Sequence, residues 1–323
     1  MKFSGSVRSN PPPMSLIVAS LYLLCLAFLF GSALYVFSKD PFSRLNATYA
    51  LLALSLFGWV GSLFVYNAQT ERQALLYWGR LNFASVALIA PVVYLFVCAL
   101  AKQDVRGRLW IGVGSGIISL LSLFTGLVDK SETALATGEH ITTYGWFFPL
   151  YLVHILGFVG AALWVAFRPP AKLPRENHIQ LRLVGIGVLV TAFVGMMANV
   201  VLPYFYHDFR FINVGTLSTI FFLAVLAYTS VVHHLFNIRV ILKTTLVFTV
   251  LIALTLEFYQ VAIEFLTRLL PVGDPTQRQV AATTIALIIN AFTHEPVRLW
   301  LEQLVELLFT GNKKCHTVTK SRR

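Results

Sequence analysis

"LNFASVALIAPVVYLFVCALA", residues 81–101, runs 21 positions without a charged side chain. At about 1.5 Å of rise per residue, a helix of that length matches the roughly 30 Å hydrocarbon core of a bilayer. Similar runs recur along the chain. We read nine spans, at about 14–37, 45–66, 81–101, 109–127, 146–167, 183–205, 212–235, 244–267 and 279–293, the last of them short. The whole chain is 57% hydrophobic and 12% charged, with a mean hydropathy of +0.73. Soluble domains carry roughly 25% charged residues, so this is a membrane composition. The expected fold is all-α: a polytopic helical bundle followed by a C-terminal cytoplasmic amphipathic helix. No cleavable signal peptide is expected, because the first apolar run is long and leads directly into further spans.

A formal charge of +11 could suggest nucleic acid. Here the basic residues fall between apolar runs, which reads as a topology signal and not as a nucleic-acid surface. One set of loops, with the C-terminal segment, holds 17 Lys and Arg, among them Arg44, Lys102, Arg175 and Arg239; the other holds 8, among them Arg72, Arg80 and Lys130. The positive-inside rule then puts the N-terminus outside and the C-terminus in the cytoplasm, as an odd span count also requires. The longest outer loop is "VDKSETALATGEHITTYG" (128–145), and the longest inner one is about 168–182. Neither is long enough for a folded domain. Of the three cysteines, Cys25 and Cys98 lie in apolar runs and Cys315 near the end, so no disulfide framework follows.

Polar side chains inside spans are costly in lipid and should face the bundle interior. The third span is entered through Trp78, Arg80 and Asn82, and Pro91 lies deeper in it. Trp78 and Arg80 suit an interface anchor; with Asn82 they also suit a ligand-facing role. The outer halves of spans five to seven bring Tyr144, Trp146, His154, Asn199, Tyr204, His207, Asn213 and Thr216. Two readings stand: hydrogen-bonding glue between helices, or an outward-facing pocket with a few polar groups among aromatic walls. In the eighth span Glu257, Gln260 and Glu264 share one helix face. That face suits proton or cation coupling, or packing against Thr283, Thr284 and Asn290. His233 and His234 are adjacent, point about 100° apart and have no nearby Cys or carboxylate, so no metal is expected. There is no P-loop, Gly-x-Ser-x-Gly or His-Glu-x-x-His motif, and no cofactor is expected.

Three stretches carry a resemblance. "YWGRLNFASVALIAPVVYLF" (77–96), "AVLAYTSVVHHLFNIRVILK" (224–243) and "AFTHEPVRLWLEQLVELLF" (291–309) resemble segments of the N-terminal seven-helix sensory region of bacterial membrane histidine kinases, in the variant with nine helices found in quorum-sensing kinases. The departures are Asn237 for the usual Asp, Val297 for Leu, and Glu306 at a later Asp position. The resemblance implies a multi-pass protein of the bacterial inner membrane and a domain order. An outer tail (1–13) precedes a seven-helix sensory domain (14–236), two further spans (237–294), a cytoplasmic coupling helix (295–310) and a basic tail (311–323). It also implies a receptor for a small, hydrophobic or amphipathic signal in two-component transduction. The partners would be a cytoplasmic kinase or response regulator, with a second copy pairing through the coupling helix. The chain itself would not be an enzyme, since only 14 residues follow Phe309. The rival from another class is a transporter or channel using the Glu257 face.

His294 is followed by Glu295, as a phospho-accepting histidine would be, but Pro296 comes at once instead of four residues later. Pro296 suits the first position of a new helix. Val297, Leu301, Leu304 and Leu308 then repeat at four-three-four spacing, a coiled-coil-like seam for passing on the signal.

The charge count generates a direct test. A reporter fused after Arg323 should be active in the cytoplasm, and one placed before Met14 outside; a C-terminal reporter active only outside would reverse the orientation.

Overall fold

A computed structural model describes residues 16–134, 140–232 and 275–310, with isolated positions between 255 and 267. The chain divides into two units, one up to Asn237 and one from Ile238. The first unit is a helical membrane bundle. Its helices are α1 (Leu16–Lys39), α2 (Arg44–Asn67), α3 (Arg72–Leu100), α4 (Arg108–Phe124), α5 (Phe148–Phe167) and α6 (Arg175–Met196). A π-helical turn (Met197–Val201) joins α6 to α7 (Leu202–Tyr206), and α8 (Ile212–Leu217) and α9 (Thr219–Val232) follow. Between α4 and α5, strands β1 (Asp129–Ala134) and β2 (His140–Tyr144) pair antiparallel. The expected helical bundle is seen, and the loop between α4 and α5 adds a two-stranded sheet to it.

Among the described residues, six helices are long and apolar enough to cross a bilayer, and Arg108–Phe124 and Gln279–Ile289 are shorter apolar helices. The nine-span reading is thus seen only in part, and most of its eighth span, with Glu257, Gln260 and Glu264, lies outside the described residues. Two spans begin earlier than expected, α3 at Arg72 and α6 at Arg175. With 29 residues, α3 is about 43 Å long and outreaches the hydrocarbon core. The reason is local: Leu75 and Gly79 continue its buried face, so the chain stays helical past the apolar run.

The second unit contains α10 (Pro275–Thr310), which runs on through Pro296. The expectation of a new helix beginning at Pro296 is corrected by this continuity. An internal proline gives up one hydrogen bond and costs about 3 kcal/mol. The Leu, Glu, Gln and Arg residues that follow are good helix formers and carry the helix onward. Of the proposed seam, Leu301 is buried and Val297 half-buried, while the Leu304 and Leu308 side chains lie outside the described set.

α3 is the helix on which the first unit is assembled. Pro91 has no N–H to give the carbonyl of Ala87, four residues earlier. His154 of α5 places Nε2 3.0 Å from that oxygen. A carbonyl can only accept, so the proton must sit on Nε2. Tyr151 of α5 donates to the Phe83 carbonyl at 2.8 Å, and Ser119 of α4 to that of Ala84 at 2.9 Å. Three side chains from two neighbours are thereby tied to one turn and a half of α3 backbone. A second polar knot joins α1, α2 and α8: Asn213 Oδ1 accepts from Tyr22 at 2.8 Å and from Asn67 at 2.7 Å.

His154→Ala should destabilise the bundle by about 1 kcal/mol, a usual value for a hydrogen bond within a membrane. In a Pro91→Ala background the same change should cost distinctly less, because the backbone N–H gained with that substitution can then serve the Ala87 carbonyl. Detergent-titrated unfolding of wild type, the two single variants and the double variant measures this coupling; additive effects would show that His154 does not replace the missing bond.

Candidate functional site

The site is built by the hairpin folding back onto the end of α3. In a regular strand, residues 129 and 132 would point to opposite faces. Here Asp129 stands opposite Tyr144 and Ser131 opposite Thr143, so Lys130 is an extra residue and the register shifts. This bulge turns both acids to the same side. Asp129 is fully buried and Glu132 is 1% exposed.

Both carboxyls pack against Gly79, whose missing side chain makes the room. A Cβ there would lie 2.8 Å from Glu132 Oε1 and 3.1 Å from Asp129 Oδ2. Glu132 is well served: Tyr66 of α2 donates to Oε2 at 2.8 Å and Thr142 to Oε1 at 2.9 Å. Neither oxygen of Asp129 has a donor. Arg80, next along α3, gives its Nε to the Asp129 backbone carbonyl at 3.2 Å, which places its charge near the pair without bonding either carboxyl.

Burial, then the charge of Glu132, pushes the Asp129 carboxyl up to about 8, with Arg80 pulling the other way. Burial raises Glu132 as well, opposed by the bonds from Tyr66 and Thr142. Two buried carboxyls side by side do not both ionise readily. A proton on Asp129, donated to Glu132, neutralises one acid and uses an otherwise orphaned oxygen. Beside them His140 is buried with its ring edge-on to Tyr66 at 4.8 Å, and burial lowers its pKa, favouring the uncharged ring.

Glu132 and Gly79 belong to the wall of a cavity of about 390 Å³ inside the first unit, within the size range of ligand pockets. Its body is apolar, with Leu52, Leu56 and Leu63 of α2, Val86 and Val93 of α3, Ile155 of α5 and Val188 of α6. It extends from Gly79 to Val93 along α3, about 21 Å of helix. Polar groups gather toward the hairpin: Tyr66, Asn82, Glu132, Thr142 and Tyr144. Asn199, on the π-helical turn, also contributes, and such turns often mark functional positions. Leu156 of α5 and Leu189 and Phe193 of α6 line the cavity yet are 53%, 46% and 61% exposed. The cavity therefore opens between α5 and α6, on a face that bilayer lipid would cover.

Of the residues singled out in the sequence, Asn82, Tyr144 and Asn199 meet at this cavity. Arg80 stands behind it, at Asp129. The rest are not brought to it. Trp78 packs edge-on to Tyr77, Trp146 is 79% exposed, and His207 is exposed in a left-handed conformation ending α7. His154 is committed to the Ala87 carbonyl, Tyr204 to the ring of Tyr144, and Asn213 to Tyr22 and Asn67. Thr216 is buried and bonds back to Ile212. Of the two readings of these polar groups, the cavity takes three of the residues, and His154, Asn213 and Thr216 make hydrogen bonds within or between helices. Asp129, Glu132, Tyr66 and Thr142 were missed by the sequence reading.

A comparison with protein-family models gives no match, and neither does one with curated proteins.

The raised pKa of Asp129 has a thermodynamic sign. An unfolded aspartate ionises near 4. Between that value and about 8 the folded state binds more protons than the unfolded, so stability falls as pH rises through this window. Asp129→Asn should flatten that fall. Melting curves from about pH 5 to pH 8.5 should show the variant gaining most on wild type at the alkaline end; an equal or larger gain at pH 5 would mean that Asp129 is not held protonated.

Proposed function

We propose that this chain is the input module of a membrane signalling receptor, taking a small amphipathic molecule into the cavity between α2, α3, α5 and α6. The observation that carries the reading is the cavity's asymmetry: an apolar body open toward the lipid face and a buried polar end under the hairpin. That form suits a ligand with an apolar tail and a polar head, arriving through the membrane. Binding would draw the hairpin, α3 and the π-helical turn together and bias the bundle between two arrangements. The output would pass along α10 to a kinase or response-regulator partner, with a second copy of the chain pairing through the Val297, Leu301, Leu304 and Leu308 seam. Under this reading the chain performs no catalysis. It would lie in a bacterial inner membrane with the hairpin outside and α10 ending in the cytoplasm. The resemblance of residues 77–96, 224–243 and 291–309 to membrane histidine-kinase input regions supports the same reading. The rival transporter reading rests on Glu257, which lies outside the described residues.

Ala192 lines the cavity from α6, and a larger side chain there would take its space. Native mass spectrometry of the full chain released from membranes should find a bound small amphiphile on wild type and none on Ala192→Phe. In a fusion to a kinase after Thr310, Leu301→Asn with Leu304→Asn removes apolar burial worth about 1.5–3 kcal/mol per side chain. Those changes should leave insertion intact and abolish the response. A response retained by both the filled cavity and the broken seam would contradict the receptor reading.

A further inference from the structure

We propose that the head of the cavity's ligand is cationic: an amphiphile bearing a protonated amine, which pairs with Glu132 and releases the proton that Asp129 and Glu132 share. This rests on the cavity being a ligand site, as argued above, and adds the chemistry of the ligand.

The donors and acceptors around the cavity are unequally spent. Tyr66 and Thr142 give their hydroxyl protons to Glu132, Tyr151 gives its own to the Phe83 carbonyl, and Thr191 to the Ser218 carbonyl. Asn82 gives its amide nitrogen to the Trp59 carbonyl at 3.1 Å and to Ser62 at 3.2 Å, and Asn199 gives its own to the Gly195 carbonyl at 3.2 Å. A backbone carbonyl can only accept, so each amide must turn its nitrogen to it, and both are fixed with their oxygens left over. The cavity therefore offers the Glu132 carboxylate, two amide oxygens and the Tyr144 hydroxyl, a set weighted toward acceptors that suits a head rich in N–H donors.

Charge points the same way. Among the described residues no Lys, Arg or His lines the cavity, and Glu132 is its one carboxyl. The charged or titratable groups around the pair are Arg80 from α3, Tyr66 from α2, and His140 and Tyr144 from β2; Lys130 points out to solvent. With the shared proton in place, one negative charge faces Arg80 and the site is neutral. An ammonium head brings one positive charge, and release of that single proton to water leaves two carboxylates against two cations, again neutral. A carboxylate head would add a second negative charge to the one that already faces Arg80. An alcohol would find acceptors but no charge partner. A charge-assisted hydrogen bond is worth about 1.5–3 kcal/mol net, so preference for amine over alcohol should be about tenfold or more.

The test uses the full chain in nanodiscs of zwitterionic lipid, with empty discs subtracted, and three probes of equal tail length: dodecylamine, dodecanol and dodecanoate. Binding is read by intrinsic tryptophan fluorescence. The amine should bind at least about tenfold more tightly than either other probe. Its affinity should rise from about pH 6 to pH 8 as the competing proton becomes easier to displace. Glu132→Gln should erase the preference for amine over dodecanol. Asp129→Asn, which keeps Glu132, should retain amine binding and lose its pH dependence, and so serves if Glu132→Gln does not fold. Dodecanol or dodecanoate binding as tightly as the amine, or a preference that survives Glu132→Gln, would overturn the cationic head and leave the receptor reading standing. Binding of none of the three would count against the cavity as a ligand site, and against this inference with it.

Discussion

Two carboxyl groups held out of water beside each other set the terms for this end of the molecule. Leaving two ions there would cost several kcal/mol for each, so the surroundings must neutralise and bond them. Glu132 receives hydroxyl protons from Tyr66 and Thr142, and Asp129 has no donor except a proton shared with its neighbour. Each partner comes from a different element. Tyr66 brings α2, Gly79 and Arg80 bring α3, and Thr142 brings β2. The pair thus ties the hairpin to two helices and closes one end of the cavity. A buried acid pair is not a cheap way to fasten a loop, since apolar residues of similar volume are often as stabilising or more so. Its place at a cavity wall gives it a use that packing alone does not.

The same economy governs the polar groups deeper in the bundle. Backbone and side-chain polar atoms in lipid must be satisfied within the protein. The carbonyl that Pro91 leaves open is met by His154, and Asn213 takes bonds from two other helices. Once those commitments are made, few polar side chains remain for a ligand, chiefly Asn82, Glu132, Tyr144 and Asn199. Gly215 shows how tightly the fold is drawn there: a Cβ on it would collide with the side-chain amide of Asn199. The π-helical turn that carries Asn199 is thus held against α8 while its amide oxygen stays available.

Hydropathy made the membrane bundle legible, because long apolar runs leave few alternatives in lipid. It was less reliable at the ends of helices. α3 continues through the polar stretch before residue 81, since Leu75 and Gly79 keep its buried face in phase. Pro296 read as a helix start because proline is favoured there, and the strong helix formers beyond it let α10 run through. Among the candidate residues, Asn82, Tyr144 and Asn199 were found by asking which polar groups lipid would reject. That question cannot separate a ligand contact from interhelical glue, so His154 and Asn213 were drawn in with them. The acids were missed for a different reason. "DKSET" in a loop between spans looks solvated, and strand alternation would separate Asp129 from Glu132. Only the extra residue at Lys130 turns them together, and single-residue bulges leave little trace in one sequence. The β-branched run "HITTY" and a glycine beside Arg80 were the available hints.

The central claim is that Asp129 and Glu132 hold one proton between them at the head of the cavity. Infrared spectroscopy of the protein in membranes, titrated across neutral pH, observes the C=O stretch of a protonated carboxyl directly. The account predicts such a band at pH 7, lost as pH rises beyond about 8 and absent from Asp129→Asn. No protonated band at neutral pH, or one unchanged by both Asp129→Asn and Glu132→Gln, would contradict it.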